Sequence, residues 1–256
     1  MRIVTYNIKT GGYDGSDSTR LDAVLRVVAG LAPDVLALQE LRGFDRPRVA
    51  GRIAAALGMR AFIARSWFGQ PVGVFVRAGI PVLTSGAVRQ PFHHAACRVE
   101  VGTDHGPLTV VSAHLNPHWP GRRRREAGRL TRAVRGRSLA LVCGDLNGLD
   151  PWTDHTDRVR RLAAAHRVRH LRWNGSIDTR AVATLDRTGL VDLFPGTGRV
   201  ETVPTSLGGE EFSGMRLDYL FGTPALAARL RSYRVVEGGE AEKASDHYPV
   251  LVDLDL

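Results

Sequence analysis

Cysteine is nearly absent from this 256-residue chain, which carries only Cys97 and Cys143. Both fall in apolar runs and no CxxC pair occurs, so a disulfide-stapled scaffold and a cysteine-built metal finger are excluded. Lysine is equally scarce. Lys9 and Lys243 are the only two among 35 basic residues, so arginine carries the formal charge of +9. That excess suits an anionic partner, although a chain-wide preference for arginine dilutes the signal. Long hydrophobic runs are missing too. Nothing approaches the length of a membrane span, and the apolar opening at 3–8 is too short and too interrupted for a secretory leader. With 43% hydrophobic and 24% charged residues, the composition is ordinary for a globular protein. A cytoplasmic location and a monomeric state are the default expectations. No fixed-period repeat, low-complexity tract or linker-like break interrupts the sequence, so residues 1–256 read as one domain.

What the chain does have is a set of apolar strands that end in polar groups. Residues 139–143, Leu-Ala-Leu-Val-Cys, read as a strand buried on both faces. Gly144 follows at a tight turn, then Asp145 and Asn147 at alternate positions. Alternate residues on an extended chain point the same way, so a carboxylate and a carboxamide stand together at the rim of a core. The strand expected at 2–8 delivers Asn7, the one at 34–38 runs into Gln39 and Glu40, and the one at 108–115 carries His114 near its end. Shorter β-like pieces fall at 60–64, 72–77, 80–87 and 96–101.

Helices are expected where the period changes. Leu21, Val24, Leu25, Val28 and Leu31 follow a capping-box-like start at Thr19, and Pro33 closes that helix. Others are expected at 46–57, at 121–135 with a strongly basic face, and at 224–230. Segment 149–187 carries helical pieces and many charges. Strands are expected at 200–205, at 216–221 with Asp218 in mid-strand, and at 248–256 after Ser245-Asp246-His247.

Taken singly, each polar group has an ordinary explanation. Asn7 can cap a turn, Glu40 can open a solvated loop, His114 can be a hydrogen-bonded core histidine, and Asp246-His247 can start a strand. Taken together, carboxylates, amides and two histidines at sheet ends suit a divalent-metal site acting on phosphate.

Six pieces then fall into a familiar order: Thr5-Tyr6-Asn7, Leu38-Gln39-Glu40, Ser112-Ala113-His114-Leu115, Gly144-Asp145-Leu146-Asn147, Arg216-Leu217-Asp218-Tyr219 and Ser245-Asp246-His247-Tyr248-Pro249. With them the chain resembles the endonuclease/exonuclease/phosphatase superfamily over nearly its whole length. The resemblance implies an α/β fold, a four-layered α-β-β-α sandwich with two mixed β-sheets, and a site at one edge of it. It implies that Glu40 binds Mg²⁺ or Mn²⁺ with Asn7 and Asp246 close by. It further implies that Asp218 pairs with His247, that Asp145 activates or orients the attacking water, and that Asn147 accompanies it on the phosphate. His114 would contact the phosphate or the leaving oxygen. Lys9 stands where some members carry an aspartate, so a second metal carboxylate is missing at that position.

The remaining features are less decided. Arg122, Arg123, Arg124 and Arg125 follow His114 closely and either track substrate phosphates or form a solvated face. Trp119 and Trp152 either line the cleft as stacking walls or pack at the core edge. His93 and His94 read as an edge-strand or loop pair. His155, His166 and His170 lack zinc-ligand spacing, and Cys143 lies inside a strand with no phosphatase loop after it. The activity expected is divalent-metal-dependent hydrolysis of phosphate esters, first as a nuclease-type phosphodiesterase acting on DNA or RNA. The alternative is a phosphatase or phosphodiesterase for a small-molecule or lipid-linked phosphate, and a non-catalytic nucleic-acid-binding module ranks third.

Overall fold

The computed structural model describes residues 1–196 and 200–256. The first half of the chain runs β1 (Arg2–Asn7), α1 (Thr19–Leu31), β2 (Val35–Gln39), α2 (Pro47–Ala56), β3 (Met59–Ala64), β4 (Val72–Arg77), β5 (Val82–Ala87), β6 (Ala95–Thr103) and β7 (Gly106–His114). There follow α3 (Pro120–Ala133), β8 (Leu139–Asp145), α4 (Thr156–Arg161), α5 (Ala164–Arg167), α6 (Arg180–Arg187), β9 (Val191–Asp192) and β10 (Asp218–Gly222). The last elements are α7 (Pro224–Ala227), β11 (Leu230–Val235), α8 (Ala241–Ala244) and β12 (Val250–Leu254). No helix among the described residues is long and apolar enough to cross a membrane.

The strands form two six-stranded sheets, ordered β11-β12-β1-β2-β4-β3 and β5-β6-β7-β8-β10-β9. Each sheet is mixed, because β1–β2 and β7–β8 are parallel pairs inside otherwise antiparallel ladders. Apolar side chains on one face of each sheet meet in a shared core that includes Val35, Val74, Val99, Val110, Leu141 and Val252. The outer face of the first sheet is covered by α1 and α2 through Val24, Val28 and Ile53. The outer face of the second is covered by α3 and α6 through Ala127, Leu130, Val182 and Leu185. Four layers result, helix–sheet–sheet–helix. The central strands read as unbroken apolar runs because both of their faces are buried.

Between the sheets lies a polar tie. Gln39 Nε2 donates to Thr5 Oγ1 at 3.1 Å and to Ser112 Oγ at 3.0 Å, joining β1, β2 and β7 in a fully buried cluster. Each such bond contributes about 1 kcal/mol net, but a partner left unsatisfied there would cost about 1–3 kcal/mol. The tie therefore pins how the two sheets face each other, just behind the end where the polar groups emerge.

Strand register brings those groups together. His114 is paired with Asp145 across the parallel β7–β8 ladder, and Asp145 with Asp218 across β8–β10. On the facing sheet Asn7 is paired with Gln39, one residue before Glu40. Gly144 permits the His114–Asp145 pairing: its φ is +129°, and a Cβ there would lie 2.1 Å from the Ala113 carbonyl oxygen.

Three expected elements differ from the structure. Asp218 is the first residue of β10 rather than its middle, because the Leu217 and Asp218 N–H groups are spent on Thr202 Oγ1. Segment 200–205 is no strand and contributes only a Val203–Met215 bridge, since Pro204 brings no donor to a ladder. The helix expected to 230 stops at Ala227, and Leu230–Val235 pairs with β12 as an edge strand whose exposed polar positions hid its period.

Candidate active site

Asp145 is the centre of the polar cluster, 2% exposed at the end of β8. Its Oδ2 accepts from Asn7 Nδ2 at 3.1 Å and lies 3.3 Å from His114 Nε2 and 3.8 Å from His247 Nε2. Its Oδ1 accepts the Asn147 N–H at 2.8 Å, which fixes the carboxylate plane. His247 is held from the far side, with Nδ1 2.7 Å from Asp218 Oδ2. Asp218 is fully buried, and its Oδ1 has no partner among the described residues. The sequence-predicted groups Asn7, His114, Asp145, Asn147, Asp218 and His247 thus come from five strand ends into one constellation.

Environment separates these groups electrically. Burial opposes a charge on His247, but Asp218 beside Nδ1, with Asp145 and Asp246 near, raises its pKa to about 10. Burial pushes the Asp145 carboxyl up to about 7 against the pull of His247 and the Asn147 N–H, with Asp218 and Glu40 adding to the rise. Burial also holds His114 well below the ordinary histidine range, helped by His94, His247 and His93. At neutral pH the site contains an imidazolium, a neutral imidazole and a carboxyl poised to exchange a proton.

Glu40 and Asn147 form the open side. Both are half-buried, and both sit at left-handed φ, +57° and +49°. Asparagine tolerates this; for glutamate it is a strain of about 1–2 kcal/mol held in place by its contacts. Glu40 Oε1 accepts from Asn7 Nδ2 at 3.1 Å, and Oε2 from the Thr10 N–H at 3.0 Å and Gln70 Nε2 at 3.2 Å. Asn7 therefore turns its amide N–H₂ to two carboxylates at once, and its Oδ1 to the Lys9 N–H at 3.0 Å. Asp246 does not stand alone either, because Lys9 Nζ lies 3.3 Å from its Oδ2.

The donors suit a hard cation. Among the described residues no three His, Cys, Asp or Glu side chains converge as a preformed cage. Mg²⁺ needs none, since it is held by one or two carboxylates and keeps several waters. The half-open Glu40 carboxylate, with carboxylate and carboxamide oxygens nearby and no thiolate, fits that requirement.

Other expected residues scatter. Arg122, Arg124 and Arg125 are exposed on α3. Arg123 is not offered to a substrate: it is 1% exposed and donates to the carbonyls of Asn116, Pro117 and Arg169. Successive helical residues turn through about 100°, so a run of four arginines cannot all face out. Trp119 is 60% exposed beneath the Arg122 guanidinium, at 4.9 Å, and Trp152 is 51% exposed beyond Asp150.

Three contributors escaped the sequence reading. His94 lies in the loop before β6, one of the two expected placements, but it is buried and its ring stacks on His114 at 4.2 Å. Glu126 accepts the N–H groups of His93 and Asn116, tying α3 to the segments before β6 and after β7. Arg20, 6% exposed, donates to the carbonyls of Ile8, Lys9 and Tyr13 and so shapes the loop after Asn7. A lone arginine on an apolar helix face was the only signal for that role.

Comparison with known proteins agrees with this fold. Residues 4–247 match the model of the Endonuclease/Exonuclease/phosphatase family. The chain belongs to this family, and with it to the phosphoric ester hydrolases. No curated protein matches the sequence. Among solved structures, an AP endonuclease from Archaeoglobus fulgidus aligns over 100% of both chains at TM-score 0.72 and 17% identity. The 3′ phosphatase NExo from Neisseria, bound to a product DNA hairpin, does so at 0.71 and 20%. Truncated Caenorhabditis elegans TDP2 aligns over 98% of this chain and 95% of its own at 0.67 and 15%. At these identities the likeness is one of fold.

Proposed function

We propose that this chain is a divalent-metal-dependent phosphodiesterase of the nuclease type, acting as one catalytic domain. The observation that carries the reading is Asp145 Oδ2, buried and facing Asn7, His114 and His247 together. A binding module has no use for a carboxyl raised to about 7 beside an imidazolium.

The roles follow from protonation. His247, held as imidazolium by Asp218, cannot accept a proton at neutral pH, so Asp145 is the group that orients and deprotonates the attacking water. The His247 charge then stabilises negative charge growing on the equatorial phosphate oxygens. His114, neutral, donates one N–H to the phosphate or the leaving oxygen, and Asn147 Nδ2 flanks it. Glu40 would hold Mg²⁺ or Mn²⁺, which supplies charge neutralisation on the phosphate when bound. Lys9 already supplies one positive charge at Asp246, which supports a single metal rather than a pair.

DNA or RNA is the first substrate class, because Arg122 and Arg125 are exposed on α3 and relatives of the same fold carry DNA-related names. A panel of bis-p-nitrophenyl phosphate, oligonucleotides, nucleotides and phospholipids, each with Mn²⁺ or with EDTA, tests the proposal. Metal-dependent cleavage of the diester and of oligonucleotides is expected. Activity confined to small or lipid phosphates would remove the nuclease assignment, and full activity in EDTA would remove the metal.

A further inference from the structure

Beside the active site, α3 and the segments around Phe68 and His93 enclose a cleft of about 230 Å³ that Arg122 and Arg125 help to line. The same two arginines line a second, adjoining cleft with Trp119. The two clefts share Arg122 and Arg125, with Phe68 lining the first and Trp119 the second, and together they are called the groove. Phe68 is 58% exposed and stacks on His93 at 4.2 Å with planes 21° apart, so one of its faces is backed by protein. Trp119 is 60% exposed and carries the Arg122 guanidinium.

The groove is built rather than incidental. Glu126, 3% exposed, accepts the His93 N–H at 2.6 Å and the Asn116 N–H at 2.7 Å. Glu126 lines the same cleft, but both its oxygens are turned to main-chain N–H groups, while Arg122 and Arg125 are exposed. Side-chain contacts join the first cleft to the site. His93 contacts His94 at 4.5 Å between ring centres, His94 stacks on His114 at 4.2 Å, and His114 Nε2 lies 3.3 Å from Asp145.

Alternating aromatic and guanidinium groups match one ligand class. Exposed rings stack only on bases that are not already paired, while arginines between them track the backbone. A small phosphate ester would leave the distant end of the groove empty, and a duplex would present no free base face. We propose that the groove from Phe68 to Trp119 binds a single-stranded nucleic-acid segment, with bases on Phe68 and Trp119 and phosphates on Arg122 and Arg125. Its placement next to a scissile phosphate rests on the phosphodiesterase reading; the binding itself does not.

Fluorescence anisotropy with a labelled short oligothymidylate in EDTA, where no metal-dependent turnover occurs, tests the groove directly. The double variant Phe68→Ala/Trp119→Ala should weaken binding at least tenfold with the salt slope unchanged. The variant Arg122→Gln/Arg125→Gln should weaken it and reduce the log–log salt slope by about 0.7 per lost contact. Arg48→Gln/Arg52→Gln, exposed on α2 in the opposite outer layer, removes equal charge and should leave affinity within about twofold. Equal weakening by that control, or duplex bound as tightly as the single strand and insensitive to Phe68→Ala, overturns the proposal. If wild type hydrolyses bis-p-nitrophenyl phosphate yet shows no preference for the single strand, the groove falls and the hydrolase reading stands. If it prefers the single strand but cleaves no diester, the reverse holds.

Discussion

His247 Nδ1 and Asp218 Oδ2 meet at 2.7 Å in a place closed to solvent, with the two side chains 4% and 1% exposed. Two opposing forces act on that imidazole. Burial disfavours its charge, and Asp218, with Asp145 and Asp246 near, favours it; the carboxylates win, with pKa raised to about 10. Replacing Asp218 by Asn removes that carboxylate and leaves burial in place, so the His247 pKa should fall from its raised value. Histidine NMR titration reads the shift directly, and kcat should drop by roughly a hundredfold or more with a smaller change in KM. An unmoved His247 titration would contradict the pairing.

The same pair sets the alkaline limb of stability. A histidine whose folded pKa lies above the unfolded value stabilises the fold fully below about 6.5. That contribution shrinks as pH rises and is gone beyond about 10. Thermal melts from neutral to alkaline pH should show wild type losing stability and Asp218→Asn losing less.

His170 acts on the other side. It is 5% exposed, its Nδ1 has no partner among the described residues, and burial, with Arg123 and Arg169 near, lowers its pKa to about 3. The unfolded chain takes up a proton near 6.5 that the folded chain refuses, so stability falls as pH drops below that point. At pH 5 the loss is about 2 kcal/mol. His170→Phe should flatten the acid limb by about that amount without changing the melt at neutral pH by more than about 1 kcal/mol.

Arginines adjacent in sequence should behave differently. Arg123→Met leaves three carbonyls without their donor in a closed interior, an expected cost of roughly 3 kcal/mol. Arg124→Gln, fully at the surface, should change stability by less than about 0.5 kcal/mol. Urea unfolding of the two variants separates a structural guanidinium from solvated ones.

Lys9 tests how many cations the site requires. Its ammonium sits 3.3 Å from Asp246 Oδ2, and Lys9→Met would leave that carboxylate free for a cation. The half-saturating Mn²⁺ concentration should then fall about fivefold, which is about 1 kcal/mol. A rise instead would mean that the ammonium helps to shape the metal site rather than competing with it.

The strands that carry Asn7, Glu40, His114 and Asp145 were legible in the sequence because buried central strands are continuous apolar runs, and a polar residue ending such a run stands out. Resemblance added the Asp218–His247 pair, which no local pattern announces across 29 residues. What stayed hidden depends on tertiary placement. His94 stacks on His114 only because β6 and β7 pair in register, and Glu126 reaches His93 only because α3 lies across that sheet. β11 went unseen because its exposed edge positions are polar, so Leu-Arg-Ser-Tyr-Arg-Val lacks the apolar run of a central strand. The arginine run was visible as charge, but helical geometry, not composition, decided that Arg123 points inward.

Asp145 is the group proposed to handle the water's proton, and one comparison tests that most directly. Initial rates on bis-p-nitrophenyl phosphate at saturating Mn²⁺, for wild type and a folded Asp145→Asn, isolate this carboxyl from binding to a longer substrate. A fall in kcat of roughly a hundredfold or more with little change in KM is the predicted result. Turnover by Asp145→Asn near the wild-type rate would contradict it and place the chemistry elsewhere in the fold.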